Sequence, residues 1–300
     1  MENLRVARAR KPEGEITRGT TAPNRLRRID RWIAATQAGP LRSTGPSHSA
    51  GPLRSAGPSR SAGPSRSAEL PLAVDLGYGA SPVTTVELYT RLRAVSPRLE
   101  VVGIEIEPDR VAAGLAYLAD HPLEGLSFRR GGFELPVDRP PVLIRALNVL
   151  RQYDEDAAWQ AWDGLCAKLA PQGVLVEGTC NEIGRRAVWV TLTRSGPQTI
   201  TFAAHLGSLG QPSELAERLP KTLIHRNVPG ERVHALLRDF DRCWAVAAPH
   251  SPFGPRARWI EAVSLLARTH PVLAHPPYGG RARWRLGEVT FPWSAVAPLR

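Results

Sequence analysis

Ala73-Val74-Asp75-Leu76-Gly77-Tyr78-Gly79-Ala80-Ser81 is the stretch on which the fold turns. Leu72 to Leu76 is a short apolar run closed by glycine, the pattern of a parallel strand covered on both faces. Gly77 and Gly79 let the backbone turn tightly and approach a ligand with no Cβ in the way. Ser81 suits the cap of a following helix and Pro82 its first position. A strand, a glycine loop and a helix N-terminus together make a cradle for a nucleotide or related cofactor.

Outward from this stretch the chain alternates. Helix is expected over about Pro82–Val95, then a strand over Glu100–Glu105, and a helix from Pro108 burying Val111, Leu115 and Leu118. Strands follow at Leu126–Arg129 and Val142–Leu147. A helix opens at Asp154-Glu155-Asp156, whose charges suit the helix dipole, and buries Trp159, Trp162, Leu165 and Leu169. The fifth strand is Val174–Glu177. Strands and helices alternating at this length predict an α/β fold: a Rossmann-like, doubly wound, mostly parallel sheet. Beyond it, Ala187–Thr193 and Gln198–Ala203 alternate like an antiparallel hairpin turned at Ser195-Gly196-Pro197. Helices near Pro212–Leu219, Glu231–Ala245 and Arg258–Ala267 make a helical C-terminal elaboration, and Arg281–Phe291 reads as extended.

The N-terminal quarter differs. Residues 1–19 are polar and aperiodic, a composition that predicts disorder. Leu26, Ile29, Trp32 and Ile33 then share one helical face, with Arg25, Arg27, Arg28 and Arg31 mostly elsewhere. This basic helix either grips a polyanion such as RNA or covers the sheet edge with a solvated arginine face. Residues 39–68 are five copies of a Gly-Pro hexad in which only Leu41 and Leu53 are aliphatic. That composition cannot bury a core and predicts flexible coil. The expected division is a basic segment at 1–38, a linker at 39–70, the α/β core at 71–205 and the helical elaboration at 206–300.

Charge follows the same division. The formal net charge is +11, which by itself suggests nucleic acid. Residues 1–70 carry 13 Lys+Arg against 5 Asp+Glu, leaving 26 against 23 for the remainder. The folded body is therefore nearly neutral. Cys166, Cys180 and Cys243 are odd in number and widely spaced, which fits a reducing compartment and a cytoplasmic protein. No apolar stretch approaches 18 residues, and no signal peptide is expected. The eight histidines show no ligand spacing, so no metal is expected.

In an open α/β sheet the ligand lies beyond the carboxyl ends of the strands. Those ends hold Asp75 to Gly79, Glu105, Gly132-Phe133-Glu134 and Asn148. An acidic residue ending the second strand serves the ribose of NAD and of S-adenosylmethionine equally. The glycine loop discriminates, because a dinucleotide site wants Gly-x-Gly-x-x-Gly and the third position here is Pro82. A nucleotide-dependent oxidoreductase is disfavoured accordingly. With Asp75-x-Gly77-x-Gly79 and Val102-Gly-Ile-Glu105-Ile-Glu-Pro-Asp-Arg-Val111, the chain resembles the class I S-adenosylmethionine-dependent methyltransferases. Phe128–Pro136 and Pro171–Glu177 extend the resemblance over about Leu72 to Thr193. It implies S-adenosylmethionine as cofactor, with Asp75, Gly77 and Gly79 at its methionine part and Glu105 at the ribose. Ile106 and Phe133 would sandwich the adenine, and Asn148 would join the cofactor rim.

Departures from the family pattern are Ser81 for a third glycine, Gly132 where an acidic residue often meets adenine, and a short link from strand 5 to the hairpin. The acceptor and the catalytic residues stay open. Arg145-Ala-Leu-Asn148 stands where amino-methylating enzymes carry Asn/Asp-Pro-Pro-Tyr, and His275-Pro-Pro-Tyr278 lies too far downstream to replace it. Thr179-Cys180 is similar to the Thr-Cys of RNA cytosine-5 methyltransferases, but the companion Pro-Cys is absent, so Cys180 is expected to be structural. Glu177 and Asn181 lie near the same rim. The alternatives carried forward are a non-catalytic nucleic-acid-binding protein using the basic helix and a pseudo-enzyme retaining the fold.

Overall fold

The computed structural model describes residues 12–17, 19, 21–42 and 70–299. Five parallel strands follow the strand–helix alternation of the sequence: β1 (Leu72–Leu76), β2 (Glu100–Glu105), β3 (Leu126–Arg130), β4 (Leu143–Leu147) and β5 (Val174–Cys180). The antiparallel strands β6 (Arg186–Thr193), β7 (Gly196–Ala204) and β8 (Glu288–Pro292) complete one sheet in the order β3-β2-β1-β4-β5-β6-β7-β8. The chain reverses its direction of travel between β1 and β4, and this is the switch point at which such folds bind ligands.

Helices cover both faces. On one lie α1 (Arg27–Thr36), α2 (Ala38–Arg42), α3 (Val83–Arg93) and α4 (Pro108–Asp120). Leu26, Ile29, Trp32, Ile33 and Leu88 pack there on Ala73, Val101, Leu143 and Val176. On the other lie α5 (Glu155–Lys168), α6 (Lys221–Ile224), α7 (Arg232–Val246) and α8 (Pro255–Leu266), where Trp162, Phe240 and Trp259 join Val74, Ile144 and Leu175. The alternation of side chains along each strand feeds the two layers separately. Asp154 caps α5 by accepting from the Ala157 amide at 2.7 Å, as its place before the acidic turn predicts.

Several expectations need correction. Leu115 is half exposed, because α4 presents Val111 and Gly114 to the sheet and Gly114 lets Phe128 sit against the helix backbone. Trp159 is only partly buried, at the edge of a cluster with Trp162 and Trp293. Thr179 and Cys180 belong to β5 itself, since the strand runs on to pair with β6. The Arg281–Phe291 stretch divides into the short helix α9 (Arg281–Trp284) and β8, which pairs with β7. The segment after the hairpin therefore supplies a sheet strand as well as helices.

The N-terminal segment departs further. Helix α1 lies on the sheet face rather than its edge, with Trp32 meeting Trp189 edge-on at 5.4 Å. The first hexad enters a separate helix, α2, which runs to Arg42 and buries Leu41 completely, so the coil expectation fails for residues 39–42. The rest of the repeats lie outside the described residues. Within 1–19, residues 12–17 and 19 have no regular secondary structure, yet they lie against the sheet's ligand end, where disorder was predicted.

Candidate cofactor and acceptor site

The loop after β1 is built as its sequence dictates. Gly77 and Gly79 both adopt positive φ, and the Gly77 amide donates to the Ile104 carbonyl at 2.8 Å. Glu105, at the end of β2, braces this loop. Its Oε2 accepts from the Gly79 amide at 2.8 Å and its Oε1 from the Ile106 amide at 2.9 Å, with Arg110 Nη1 3.5 Å away. The carboxylate is almost fully buried. Oε1 also accepts from the Glu107 amide at 3.4 Å, so three backbone amides hold this carboxylate and Oε2 keeps a lone pair beyond the Gly79 bond.

A strap of the chain's own backbone covers this region. Glu13 carbonyl accepts from the Phe133 amide at 2.8 Å, and the Glu13 amide donates to Glu134 Oε2 at 2.8 Å. The Glu15 amide donates to the Tyr153 hydroxyl at 2.5 Å, and Gln152 donates to the Glu15 carbonyl. Arg110 donates to the Thr17 carbonyl at 2.9 Å, and the Ala80 amide to that of Gly19 at 3.1 Å. Gly14 sits at φ +122°, and a Cβ there would come within 3.2 Å of Ile106, 3.4 Å of Phe133 and 2.9 Å of the Tyr153 hydroxyl. The space between Ile106 and Phe133 is thus filled by main chain. Gly132 makes room for it, since a Cβ there would fall 1.9 Å from the Glu13 carbonyl oxygen.

Asp75 is placed differently from a free ligand-binding acid. Arg145 reaches it with two bonds, Nε to Oδ1 at 2.9 Å and Nη2 to Oδ2 at 2.6 Å, and Thr85 donates to Oδ2 at 2.7 Å. Arg145 also bonds Asp30 of α1 at 2.5 Å, and Arg91 of α3 bonds the other Asp30 oxygen at 2.9 Å. The group is fully buried at Arg145 and Asp30. Burial opposes the Arg145 charge, but Asp30 and Asp75 outweigh it and raise its pKa. Asp75 thereby ties β1 to β4 and to the helix that precedes the hexads.

Beside the loop lies a cavity of about 490 Å³, bounded by Gly77–Gly79, Asn148, Cys180 and the strap residues Thr17 and Gly19. Asn148, at φ +62°, turns its side chain onto Cys180, accepting from its amide at 2.9 Å and donating to Sγ at 3.3 Å. Burial raises the Cys180 pKa, with Arg25 and Asn148 opposing. Arg25, Arg151 and Arg218 also line the cavity. The expected site residues therefore divide: Asp75, Gly77, Gly79 and Asn148 line the cavity, while Glu105, Ile106 and Phe133 lie beneath the strap.

Of the four arginines singled out around α1, only Arg27 and Arg31 are exposed. Arg25 donates to the Asn181 carbonyl, and Arg28 bonds the Leu286 carbonyl near Glu288. Tyr278 packs on Trp32 and meets Gln37, away from the cavity. Glu177 is buried under Trp162, and Asn181 accepts two amides of its own turn. Among the described residues, no three or more His, Cys, Asp or Glu converge, and no helix is long and apolar enough to cross a membrane.

The sequence reading missed the strap, the Asp30–Arg145–Asp75 group, Arg151 and Arg218. Arg145 carried a signal: an arginine inside an apolar strand covered on both faces needs buried partners. The strap carried none, because its contacts are made by backbone groups.

No protein-family model matches the sequence, and no curated protein matches it. Solved structures that resemble the fold include PKMT2 from Rickettsia typhi, at 14% identity and TM-score 0.32, over 50% of this chain and 24% of that one. That protein has also been solved in complex with AdoHcy. Mitomycin 7-O-methyltransferase MmcR matches at 18% identity and TM-score 0.31, over 37% of this chain and 31% of that one. A pericyclic reaction enzyme matches at 22% and 0.30, over 39% and 29%. This chain spans less than a third of the length of each of these. Likeness at these TM-scores says nothing of activity, and the Rossmann-like fold is read from the strand order itself.

Proposed function

We propose that the chain is an S-adenosylmethionine-dependent methyltransferase. The observation that carries this reading is the strap that runs between two places at the β1/β4 switch point. One is the cavity beside Gly77–Gly79; the other is the slot between Ile106 and Phe133, and the strap runs from one to the other. An apolar and an aromatic side chain facing across a slot suit a flat base. Glu105, held by three backbone amides, would accept ribose hydroxyls through Oε2. Gly77 and Gly79 allow close approach of the methionine part, whereas Asp75, with both oxygens on Arg145, fits an ammonium poorly unless it shares them.

The bound cofactor supplies an electrophilic methyl group on a sulfonium. What this chain contributes is alignment: the cavity fixes where an acceptor stands relative to the loop. The strap also fills the slot, so cofactor binding requires Glu13 and Gly14 to leave it. Ultraviolet cross-linking of the full chain with methyl-tritiated S-adenosylmethionine tests the reading. Labelling that excess S-adenosylhomocysteine suppresses supports it; no such labelling in wild-type or in Gly14→Leu, whose added side chain would collide with Tyr153 and Ile106 and displace the strap, refutes it.

A further inference from the structure

Three guanidinium groups converge on the cavity beyond the glycine loop, from three different elements. Arg25 precedes α1, Arg151 follows β4 in the 3-10 turn Leu150–Gln152, and Arg218 ends the 3-10 segment Pro212–Arg218. Backbone carbonyls take part in fixing each of the three segments. Arg25 Nε donates to the Asn181 carbonyl at 3.1 Å, and Arg151 Nη1 to that of Glu217 at 3.2 Å. The Arg218 carbonyl accepts from Thr179 of β5 at 2.5 Å.

Among the described residues, the carboxylates that face Arg151 and Arg218 are exposed ones at the rim, those of Glu217 and Glu182. Asp75 is taken up by Arg145. Glu217 bonds Arg218 Nη2 at 3.3 Å, but its side chain is 64% exposed. Glu182 lines the rim and is exposed, its pKa lowered by its own backbone amide and then by Arg218, Arg25 and Arg151. Arg218 Nε is buried and meets no acceptor among the described residues. A buried N–H without an acceptor is costly, and a ligand oxygen relieves that cost. Burial lowers the Arg151 pKa, and the like charge of Arg218 lowers it further.

We propose that Arg151 and Arg218 anchor an oxyanionic group, carboxylate or phosphate, on the methyl acceptor. The inference rests on the methyltransferase reading. S-adenosylmethionine brings an ammonium and a sulfonium against one carboxylate, so it is itself cationic and can satisfy one guanidinium at most. An oxyanion on an acceptor entering the same cavity would give the buried Arg218 Nε its acceptor, and planar guanidinium groups favour two-pronged bonds to carboxylate or phosphate oxygens. The oxyanion is an anchor and takes no part in bond making.

The test titrates the full chain with inorganic phosphate and, separately, with benzoate, beside Arg218→Gln and the exposed control Arg27→Gln. Binding of either anion should weaken at least tenfold in Arg218→Gln and stay within twofold in Arg27→Gln, with melting temperatures confirming that both variants fold. Phosphate binding points to a phosphorylated acceptor and benzoate binding to a carboxylic one. S-adenosylhomocysteine is titrated into Gly14→Leu with and without Arg218→Gln. Affinity unchanged within twofold supports the acceptor role, whereas a tenfold loss assigns Arg218 to the cofactor's carboxylate and overturns it. Cofactor binding with no anion binding in wild-type overturns the proposal and leaves the methyltransferase reading intact. Anion binding with no cofactor binding in either background removes that reading, and the acceptor role with it.

Discussion

The carbonyl of Glu13 accepts a 2.8 Å hydrogen bond from the amide of Phe133, so the chain's own backbone is seated where the slot behind Ile106 would take a flat ligand. Two neighbouring amides, of Glu13 and Glu15, bond Glu134 and Tyr153. If cofactor and strap compete, adding S-adenosylhomocysteine to the wild-type chain speeds hydrogen exchange at the Glu13 and Glu15 amides. The Phe133 amide should stay protected by its new partner. Slower exchange along the strap on ligand addition would mean a lid that closes over the cofactor instead.

Asp30 and Arg145 form a second long-range tie, joining the helix before the hexads to β4. Breaking a buried ion pair from one side strands the other charge and typically costs about 3–5 kcal/mol. Asp30→Asn should lower unfolding stability by about 3 kcal/mol, read from denaturant midpoints. The exposed variant Arg31→Gln should leave the midpoint within error. Equal midpoints for Asp30→Asn and wild-type would show that α1 contributes little to holding the sheet.

Glu177 predicts a pH dependence of stability. Burial pushes its carboxyl up to about 8; among the described residues Trp162 donates to one oxygen and the other has no partner. The unfolded chain releases this proton near pH 4.5 and the folded chain near 8. The neutral acid's stabilising share is thus complete below about pH 4.5 and lost as pH rises to about 8, by at most about 1.4 kcal/mol per pH unit. Glu177→Gln should remove this contribution to the slope and raise the melting temperature at pH 8 relative to wild-type. A pH profile parallel to that of wild-type would contradict the assignment.

Much of the fold was legible because it rests on periodic burial. The five parallel strands and the hairpin were marked by apolar runs between glycine and proline breaks, and β1 announced its glycine loop. Leu26, Ile29, Trp32 and Ile33 disclosed α1 by spacing alone. Their sequence could not say that the helix would dock on the sheet face, because that placement depends on Trp189 and on a buried charge group assembled from α1, β1 and β4. β8 was hidden for a related reason: a five-residue strand after a one-turn helix gives too little periodicity to separate the two. The site was half legible. Its loop residues are where the motif puts them, but Asp75 proved to be an anchor for Arg145, and the slot's occupant makes its contacts through backbone atoms that leave no mark on side-chain pattern.

The decisive measurement is calorimetric titration of S-adenosylhomocysteine into the full chain and into Gly14→Leu, in which a side chain would collide with Tyr153 and Ile106 and release the strap. One-to-one binding is expected in both, about tenfold tighter in Gly14→Leu, a gain of about 1.4 kcal/mol. No binding in either protein at millimolar ligand would contradict the methyltransferase reading.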